Sequence, residues 1–230
     1  KSRTQDIFVV KYHSNGTQLW QMHSHHPVAN GANSSADASK DNKSDASENS
    51  SSNSDSNSNG NSNRDSEDDI DSEGELFSIA IGDKQDLYVV GSFSGRTAFN
   101  HLEIASHGPS SQDALALKLN STTGDVIWAI GYGSVYFDAA YGVSVDSTGV
   151  YLTGLIHNAP FSNPEKLSKR GTFFVLKLNR DTGQRIWSMK GKGPYVSGGT
   201  GIVTTERGYT FMTVYFVGDV LFRENEWQYR

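Results

Sequence analysis

The sequence predicts an all-β fold, and two observations carry this prediction. Segments 6–20, 113–128 and 172–187 are copies of one pattern, and the last two read DALALKLNSTTGDVIW and TFFVLKLNRDTGQRIW. In each copy, apolar and polar residues alternate up to a turn, as expected of half-buried strands. Elsewhere, short apolar runs are separated by turns, and no segment shows the helical period of about 3.6 residues.

The first repeated element consists of a strand, a tight turn and a second strand. The turn glycine can take the positive φ that other residues resist, and a tryptophan closes each copy. The glycines are Gly16, Gly124 and Gly183, and the tryptophans are Trp20, Trp128 and Trp187. We interpret the tryptophans as core residues between neighbouring sheets, with stacking on a ligand as the alternative.

A second repeated element, two strands joined by a turn, occupies residues 77–91, 141–154 and 201–214. Gly91 and Gly154 end the first two copies, whereas the third has Val214 at this position. The third turn also lacks a counterpart of Asp146. We therefore expect the third copy to be degenerate or to be a terminal cap.

Together, the two elements supply four short strands in about 60 residues, a pattern typical of β-propeller blades. In blade order, the second element gives strands A and B, and the first gives C and D. The sequence thus predicts a partial β-propeller of about three four-stranded blades, two whole and two half. Because closed propellers have at least about four blades, a second copy of the chain or further blades of a longer parent chain would complete the ring.

A low-complexity acidic insert rich in Ser, Asn and Asp interrupts the repeats. We place strands C and D of the first blade at 1–28, the insert at 29–74, the blades at 75–222 and a tail at 223–230. Residues 37–75 hold 12 of the 26 acidic and 3 of the 20 basic residues, so the remainder has a net charge of +3. Since such a composition buries too little apolar surface to offset the entropy of ordering, we predict a disordered loop.

Within the insert, the oxygen-ligand spacing of a calcium loop is matched by Asp55, Asn57, Asn59, Gly60, Asn61 and Asn63. Ser66, however, occupies the position that requires a bidentate acid, and a Ser/Asn tract generates this spacing by chance. A solvated linker is the favoured interpretation. We assign no metal-binding residue, and calcium is the one cofactor that stays open.

The stretch 113–154 resembles the SBBP-type β-propeller repeat in its succession of DALALKLN…TG…W and DAAYGVSVDSTGVYLTG. This resemblance covers the chain outside the insert and implies a large secreted or surface-attached protein. The turn-plus-Trp segment is also similar to the tryptophan-docking motif of quinoprotein propellers. That similarity implies that the three repeated tryptophans each stack on a neighbouring blade.

Composition excludes several classes of function. The chain has no cysteine, which removes disulfides, thiol catalysis and Cys-ligated metals. It has no Lys/Arg cluster of the kind that binds nucleic acid, so no nucleic-acid partner is expected. No apolar run approaches the length of a membrane span, so we expect no membrane insertion by this segment. No Ser/His/Asp set or paired carboxylates can be assigned, and no catalytic residue is predicted.

The sequence favours a non-enzymatic protein-interaction or structural module of a larger secreted or cell-surface protein. Its protein or glycan ligand is expected on the loop face, at Tyr132, Tyr136, Phe137, Lys190 and Tyr195. Aromatic residues in successive loops leave a carbohydrate-binding, lectin-like propeller as an alternative, and a fragment of a propeller enzyme is a second. Sequons at Asn15 and Asn120 favour N-glycosylation and an extracellular or cell-surface location.

Overall fold

The structure is a computed structural model that describes residues 5–25, 27, 72–108, 111–157, 171–191, 196–218 and 228–229. Residues 1–27 and 70–230 belong to one compact unit. The predicted calcium loop, and the predicted disordered insert up to residue 71, lie outside the described residues.

The described residues confirm the all-β prediction, since they form antiparallel sheets and no helix. No helix of this part of the chain is therefore long and apolar enough to span a membrane. The strands are β1 (Phe8–Tyr12), β2 (Gln18–His23), β3 (Gly74–Ile81), β4 (Leu87–Ser94), β5 (Arg96–Phe99), β6 (Leu102–Ala105), β7 (Gln112–Leu119), β8 (Val126–Tyr132), β9 (Asp138–Asp146), β10 (Gly149–His157), β11 (Gly171–Leu178), β12 (Arg185–Lys190), β13 (Ser197–Thr204), β14 (Thr210–Phe216) and β15 (Gln228–Tyr229).

Two larger sheets are antiparallel meanders. The first sheet has the strand order β3-β4-β7-β8, and the second sheet has the order β9-β10-β11-β12. In both sheets, the strands of the second repeated element precede those of the first repeated element, which is the A-B-C-D order. The short strand β15, from the segment assigned to a tail, pairs with the outer edge of β12.

Two hairpins flank these sheets in the chain. The N-terminal hairpin β1-β2 corresponds to strands C and D, and the C-terminal hairpin β13-β14 corresponds to strands A and B. Among the described residues, the sheets do not close into a barrel or a propeller ring. The number of blades therefore stays a prediction.

A third hairpin, β5-β6, lies between β4 and β7 and is not predicted by the repeat pattern. Asn100 in its turn has a φ of 53°, a left-handed conformation that Asn tolerates better than most residues. The backbone of Ala98 exchanges hydrogen bonds of 2.9 and 3.0 Å with the backbone of His25. The extra hairpin thus fixes the segment that follows β2.

The core lies between successive sheets. One apolar cluster joins the first and second sheets, and it includes Tyr88, Ala116, Trp128, Leu152, Phe174 and Leu176. Another joins the N-terminal hairpin to the first sheet, and it includes Ile7, Val9, Met22, Phe93, Leu115 and Leu117. On the other side of the second sheet, β13 lies against β9 and β10. The sheets therefore stack in chain order, and each buries a face that would otherwise contact water.

A β-bulge opposite a glycine recurs in the first strand of both sheets. Phe77 in β3 and Tyr141 in β9 are the bulged residues, and Gly91 and Gly154 lie opposite them. A Cβ would come within 1.8 Å of a backbone oxygen at Gly91 and within 1.9 Å of one at Gly154. These glycines are therefore required by the close approach of two strands.

The C-terminal hairpin has the same bulge with a different distribution of glycine. Thr200 is the bulged residue of β13, and Gly199 and Gly201 flank it. Val214, the departure from the repeat, faces Gly199 across the ladder. Glycine has a wider conformational range than other residues, so the two glycines let β13 adjust its backbone to the Val214 side chain on β14.

Candidate functional site

Two of the predicted binding residues meet where β8 and β12 end. Tyr132 is the last residue of β8, and the centroid of its ring lies 5.3 Å from that of Phe174 in the second sheet. Lys190, the last residue of β12, places Nζ 5.8 Å from the centroid of the Tyr132 ring. This cation–π contact joins the first sheet to the second. Tyr195 lies outside the described residues.

Tyr136 and Phe137 lie in the 133–137 loop, which connects the first sheet to the second. The Phe137 ring meets the His157 ring edge-on, with centroids 5.5 Å apart, and the His157 N–H donates to the Phe137 carbonyl at 3.2 Å. Both aromatic residues of the loop are half-buried, whereas Val135 is 60% exposed. The loop therefore presents an apolar tip above a packed aromatic base.

Asp138, the first residue of β9, holds this loop in place. Its carboxylate is fully buried. Oδ2 accepts hydrogen bonds from the backbone N–H and the hydroxyl of Ser134, the latter at 2.9 Å. Oδ1 accepts the N–H of His157 at 2.8 Å. One carboxylate thus ties the loop to the end of β10.

Asp113, the second residue of β7, is another fully buried carboxylate beside the same loop. Its Oδ2 accepts the N–H of His107 at 3.2 Å and also contacts Nδ1 of that half-exposed ring. Ser111 Oγ lies 3.4 Å from Oδ1. A Cβ at Gly133 would lie 2.6 Å from Asp138 Oδ2 and 3.0 Å from Asp113 Oδ1. Glycine at position 133 therefore leaves room for both carboxylates.

The surroundings of Asp138 shift its pKa. Burial raises the pKa of Asp138 above its ordinary value, and hydrogen bonds from His157 and Ser134 oppose this shift. The negative charge of Asp113 raises the same pKa further. Within the described residues, no group of three or more His, Asp and Glu side chains is placed to hold a metal. The arrangement fits a clamp that shapes a loop.

Sequence reasoning did not single out Asp113, Asp138, His107 or His157. The signal present in the sequence was an acidic residue at the start of an otherwise apolar strand, as in QDALALKL and DAAYGVSV. Since a carboxylate is rarely buried without partners, such an Asp predicts a hydrogen-bonded group. The sequence does not reveal that β7 and β9, which belong to different sheets, bring both carboxylates to one loop.

The Trp20 indole lies against the β7–β8 turn of the first sheet. Its Nε1 donates to the Ser121 carbonyl at 3.0 Å, and Lys11 Nζ donates to the same oxygen at 2.7 Å. Gly124 in this turn has a φ of +82°, and a Cβ there would come within 2.7 Å of the Trp20 ring. Glycine therefore serves both the turn and the contact between the sheets.

Trp128 repeats this contact one sheet later, on the β11–β12 turn of the second sheet. Its Nε1 donates to the Arg180 carbonyl at 3.1 Å. Gly183 has a φ of +71°, and a Cβ there would come within 3.0 Å of the Trp128 ring. Both contacts therefore run from a tryptophan of one element to the glycine turn of the next.

A tyrosine and a lysine accompany the tryptophan in both complete sheets. The first sheet has Tyr88, Lys118 and Trp128, and the second sheet has Tyr151, Lys177 and Trp187. The Tyr and Trp rings are 6.0 Å apart in both sheets. The lysine Nζ lies 5.7 Å from the Tyr ring centroid in the first sheet and 5.0 Å in the second. The two sheets thus present the same group of side chains.

The two sheets differ in what approaches this group. In the first sheet, the Arg180 side chain reaches across from the second sheet and pairs with Asp83, and its Nη2 would lie 3.2 Å from a Cβ at Gly82. In the second sheet, Val145 pairs with Val150 as Ile81 pairs with Leu87 in the first sheet. Asp146, the next residue, therefore has the position that Gly82 has in the first sheet. Asp146 Oδ1 accepts the N–H of Thr148 at 2.7 Å. Its Oδ2 is buried and has no hydrogen-bond partner among the described residues.

The two asparagines assigned to N-glycosylation lie in equivalent turns. Asn15 is exposed, and its Oδ1 accepts the N–H of Thr17 at 3.0 Å. Asn120 is half-buried, and its Oδ1 accepts the N–H of Thr122 at 2.8 Å. Both side chains therefore shape their own turn. Glycosylation at either residue stays a prediction.

No family model matches the chain, and a comparison with curated proteins gives no match. The resemblances to the SBBP-type repeat and to the quinoprotein propeller repeat accordingly stay predictions.

Proposed function

We propose that the chain is a non-enzymatic protein-interaction module built as part of a β-propeller, and that the 133–137 loop with Lys190 forms its binding face. The observation that supports this proposal is how the loop is held. Buried Asp138 fixes its backbone, while Val135 at its tip is 60% exposed. A loop that is already shaped loses little conformational entropy when it binds.

The propeller part of the proposal rests on the way in which the sheets follow one another. Each complete sheet contains a four-stranded meander in the order A-B-C-D. Trp20 and Trp128 each connect one element to the glycine turn of the next. A repeated contact with a fixed direction is what a radial or linear array of sheets requires.

A peptide suits this face better than a sugar. The Tyr132 ring already packs on Phe174 and Lys190, so it serves the contact between the sheets. Val135 offers apolar surface, and the Lys190 ammonium group would favour an acidic residue in the ligand. Carbohydrate binding at the same loop is the alternative, because Tyr136 and Phe137 add aromatic surface.

The module would belong to a larger secreted or cell-surface protein. The exposed sequon at Asn15 supports such a location, because an oligosaccharide there would extend into solvent. Mass spectrometry of the protein purified from its natural source would reveal the added glycan. An unmodified Asn15 in that preparation would remove this support.

A peptide-display screen with matched variants tests the binding face. Enriched peptides would be measured against the wild type, Val135→Asp and the control Val203→Asp, whose valine is 55% exposed on β13. We expect Val135→Asp to weaken binding at least tenfold, about 1.4 kcal/mol, and the control to bind as the wild type does. Equal binding by both variants would contradict the proposal.

A glycan array and a panel of hydrolase substrates complete the screen. If the wild type bound a sugar and Val135→Asp did not, the result would favour the lectin-like alternative for this loop. Turnover abolished by one substitution in the 133–137 loop would replace the interaction module with an enzyme.

A further inference from the structure

We propose that a second copy of this chain completes the C-terminal hairpin. Strand β1 of the partner copy would pair with the outer edge of β14 and build a third four-stranded sheet, β13-β14-β1-β2. Two copies that exchange this contact would close a ring of six sheets. This inference rests on the propeller part of the proposed function, whereas ligand binding at the 133–137 loop does not depend on it.

The complete sheets show which strand is missing beside β14. In both, the second strand pairs with the first on one side and with the third on the other, as β4 pairs with β7 and β10 with β11. Among the described residues, β14 has a ladder only with β13, and β1 has a ladder only with β2. By its place in the repeat, β14 is a second strand and β1 is a third strand. Each edge thus lacks what the other supplies.

The outward backbone groups of β14 can be identified from its bonds to β13. The N–H of Val217 donates to the Val196 carbonyl at 3.0 Å, and the N–H of Thr205 donates to the Tyr209 carbonyl at 2.9 Å. Since antiparallel pairing alternates along a strand, the odd-numbered residues of β14 face β13. The even-numbered residues in the range 210–216 therefore present their N–H and C=O groups to the open edge.

The outward groups of β1 follow in the same way from its bonds to β2. The N–H of Ser24 donates to the Ile7 carbonyl, and the N–H of His13 donates to the Thr17 carbonyl, both at 2.8 Å. The odd-numbered residues of β1 therefore face β2. The even-numbered residues in the range 8–12 present their backbone groups to the other edge.

The register of the complete sheets brings these two edges together in phase. The equivalent pairs across the second and third strands are Leu87–Leu119 and Val150–Leu178. The same positions in the hairpins are Thr210 in β14 and Tyr12 in β1. Pairing Thr210 with Tyr12 places even-numbered residues opposite even-numbered residues along both strands. The outward groups of residues 210, 212 and 214 then meet those of residues 12, 10 and 8. Phe216 falls opposite Asp6, as Phe93 pairs with Asp113 in the first sheet.

The turns provide a second, independent match. A Cβ at Gly16 would have no described atom within 4 Å, whereas the turn glycines of the two complete sheets lie under tryptophans. Asp146 Oδ2 is buried and has no hydrogen-bond partner in the part of the chain that the structure describes, at the place where Arg180 approaches Gly82 one sheet earlier. A hairpin paired with β14 would bring its 13–17 turn to Asp146. One placement thus fills both the edge and the turn position.

A second copy can supply the occupant, because the chain's own N-terminal hairpin already has a place. Trp20 and Lys11 attach the N-terminal hairpin to Ser121 in the first sheet. The C-terminal hairpin packs on the far side of the second sheet. Closure within one chain would give three sheets, whereas closed propellers have four to eight blades, a range that includes the six sheets of two copies.

Cysteine cross-linking tests the register directly, because the chain has no cysteine of its own. The variant Tyr12→Cys/Thr210→Cys changes two exposed residues. Paired antiparallel residues have Cα atoms about 4.5–5.5 Å apart, within the range of a disulfide. We expect a covalent dimer on non-reducing gels after mild oxidation. Analytical ultracentrifugation of the wild type should give twice the chain mass of 25.1 kDa.

The matched control is Tyr12→Cys/Phe211→Cys, because the side chain of the neighbouring residue points to the other face of the strand. We expect less than a tenth of the cross-linked product. Equal cross-linking at 210 and 211, a disulfide within one chain, or a monomeric wild type at micromolar concentration would each overturn the proposal. Circular dichroism of the reduced variants would show that both are folded.

A variant without cysteine gives a second measurement. Phe216→Pro removes one outward N–H at an exposed residue of β14 and leaves the bonds to β13 intact. We expect the dimer dissociation constant to rise at least tenfold with an unchanged circular dichroism spectrum. An unchanged dissociation constant would contradict the pairing.

Discussion

Gly154 lies so close to β9 that a Cβ on it would come within 1.9 Å of the Ala139 carbonyl oxygen. The bulged residue Tyr141 is the cause, because the extra residue changes the course of β9 opposite β10. The repeated glycine inside the B strand is therefore a consequence of the bulge, and no turn is involved.

Replacing this glycine should be severely destabilising. We expect Gly154→Ala to lower the free energy of unfolding by about 3 kcal/mol or more, since overpacking against a backbone cannot be relieved by a rotamer change. The control is Gly201→Ala, where the nearest atom to the new Cβ would be the Thr213 hydroxyl at 3.0 Å. It should cost less than about 1 kcal/mol, because a hydroxyl can rotate away. Urea denaturation of both variants checks the difference, and equal losses would contradict it.

Substitution of the turn glycine under Trp128 should cost more stability than substitution of an exposed glycine with a similar positive φ. Gly183→Ala combines a φ of +71° with a contact to the Trp128 ring, and we expect a loss of about 2–3 kcal/mol. Gly208→Ala shares a positive φ, +81°, but its new Cβ would have no described atom within 4 Å, so it should cost about 1 kcal/mol. Thermal unfolding of the two variants measures the difference. Identical shifts would show that the Trp128 contact contributes nothing.

Removing the indole nitrogen should weaken the contact between the first and second sheets. Trp128→Phe loses the hydrogen bond to the Arg180 carbonyl and part of a buried ring, and we expect a loss of about 2–3 kcal/mol. The parallel variant Trp20→Phe removes a half-buried ring and should cost less, about 1 kcal/mol. Guanidinium denaturation ranks the two variants, and the opposite ranking would refute this account.

The pH dependence of stability should reflect the buried carboxylate at the 133–137 loop. Burial raises the pKa of Asp138, so the folded state binds a proton more tightly than the unfolded state, in which an Asp has a pKa of about 3.9. The wild type should therefore lose stability relative to Asp138→Asn as pH rises from the unfolded pKa through the raised folded pKa.

Urea denaturation of both proteins from about pH 3.5 to pH 8 measures this change, because it spans the range above the unfolded pKa. The control is Ile127→Ala at a side chain that is 41% exposed, which removes no titratable group, so its difference from the wild type should not change with pH. If the wild type became more stable relative to Asp138→Asn as pH rises, the result would contradict the direction of the pKa shift.

The strand pairing could be predicted from the sequence, whereas the cluster of buried side chains beside the 133–137 loop could not. The repeat of period-two strands and glycine turns predicted that residues such as Leu176 and Leu152 share a sheet, because those signals are local. The β5-β6 hairpin was missed, since the repeat pattern did not include it and the described residues contain no second copy of it. The meeting of Asp113 and Asp138 depends on how two sheets pack, and neither period nor spacing encodes that relation.

The tryptophan contacts also bear on how the chain tolerates a long insertion. Trp20 reaches an acceptor 101 residues further along the chain, whereas Trp128 reaches one 52 residues away. The entropy of bringing two points of a chain together grows only with the logarithm of the intervening length, and each doubling costs about 0.6 kcal/mol. The segment between β2 and β3 therefore adds about that amount to the closure of the first contact. A change in the length of this connection therefore has little effect on the stability of the contact.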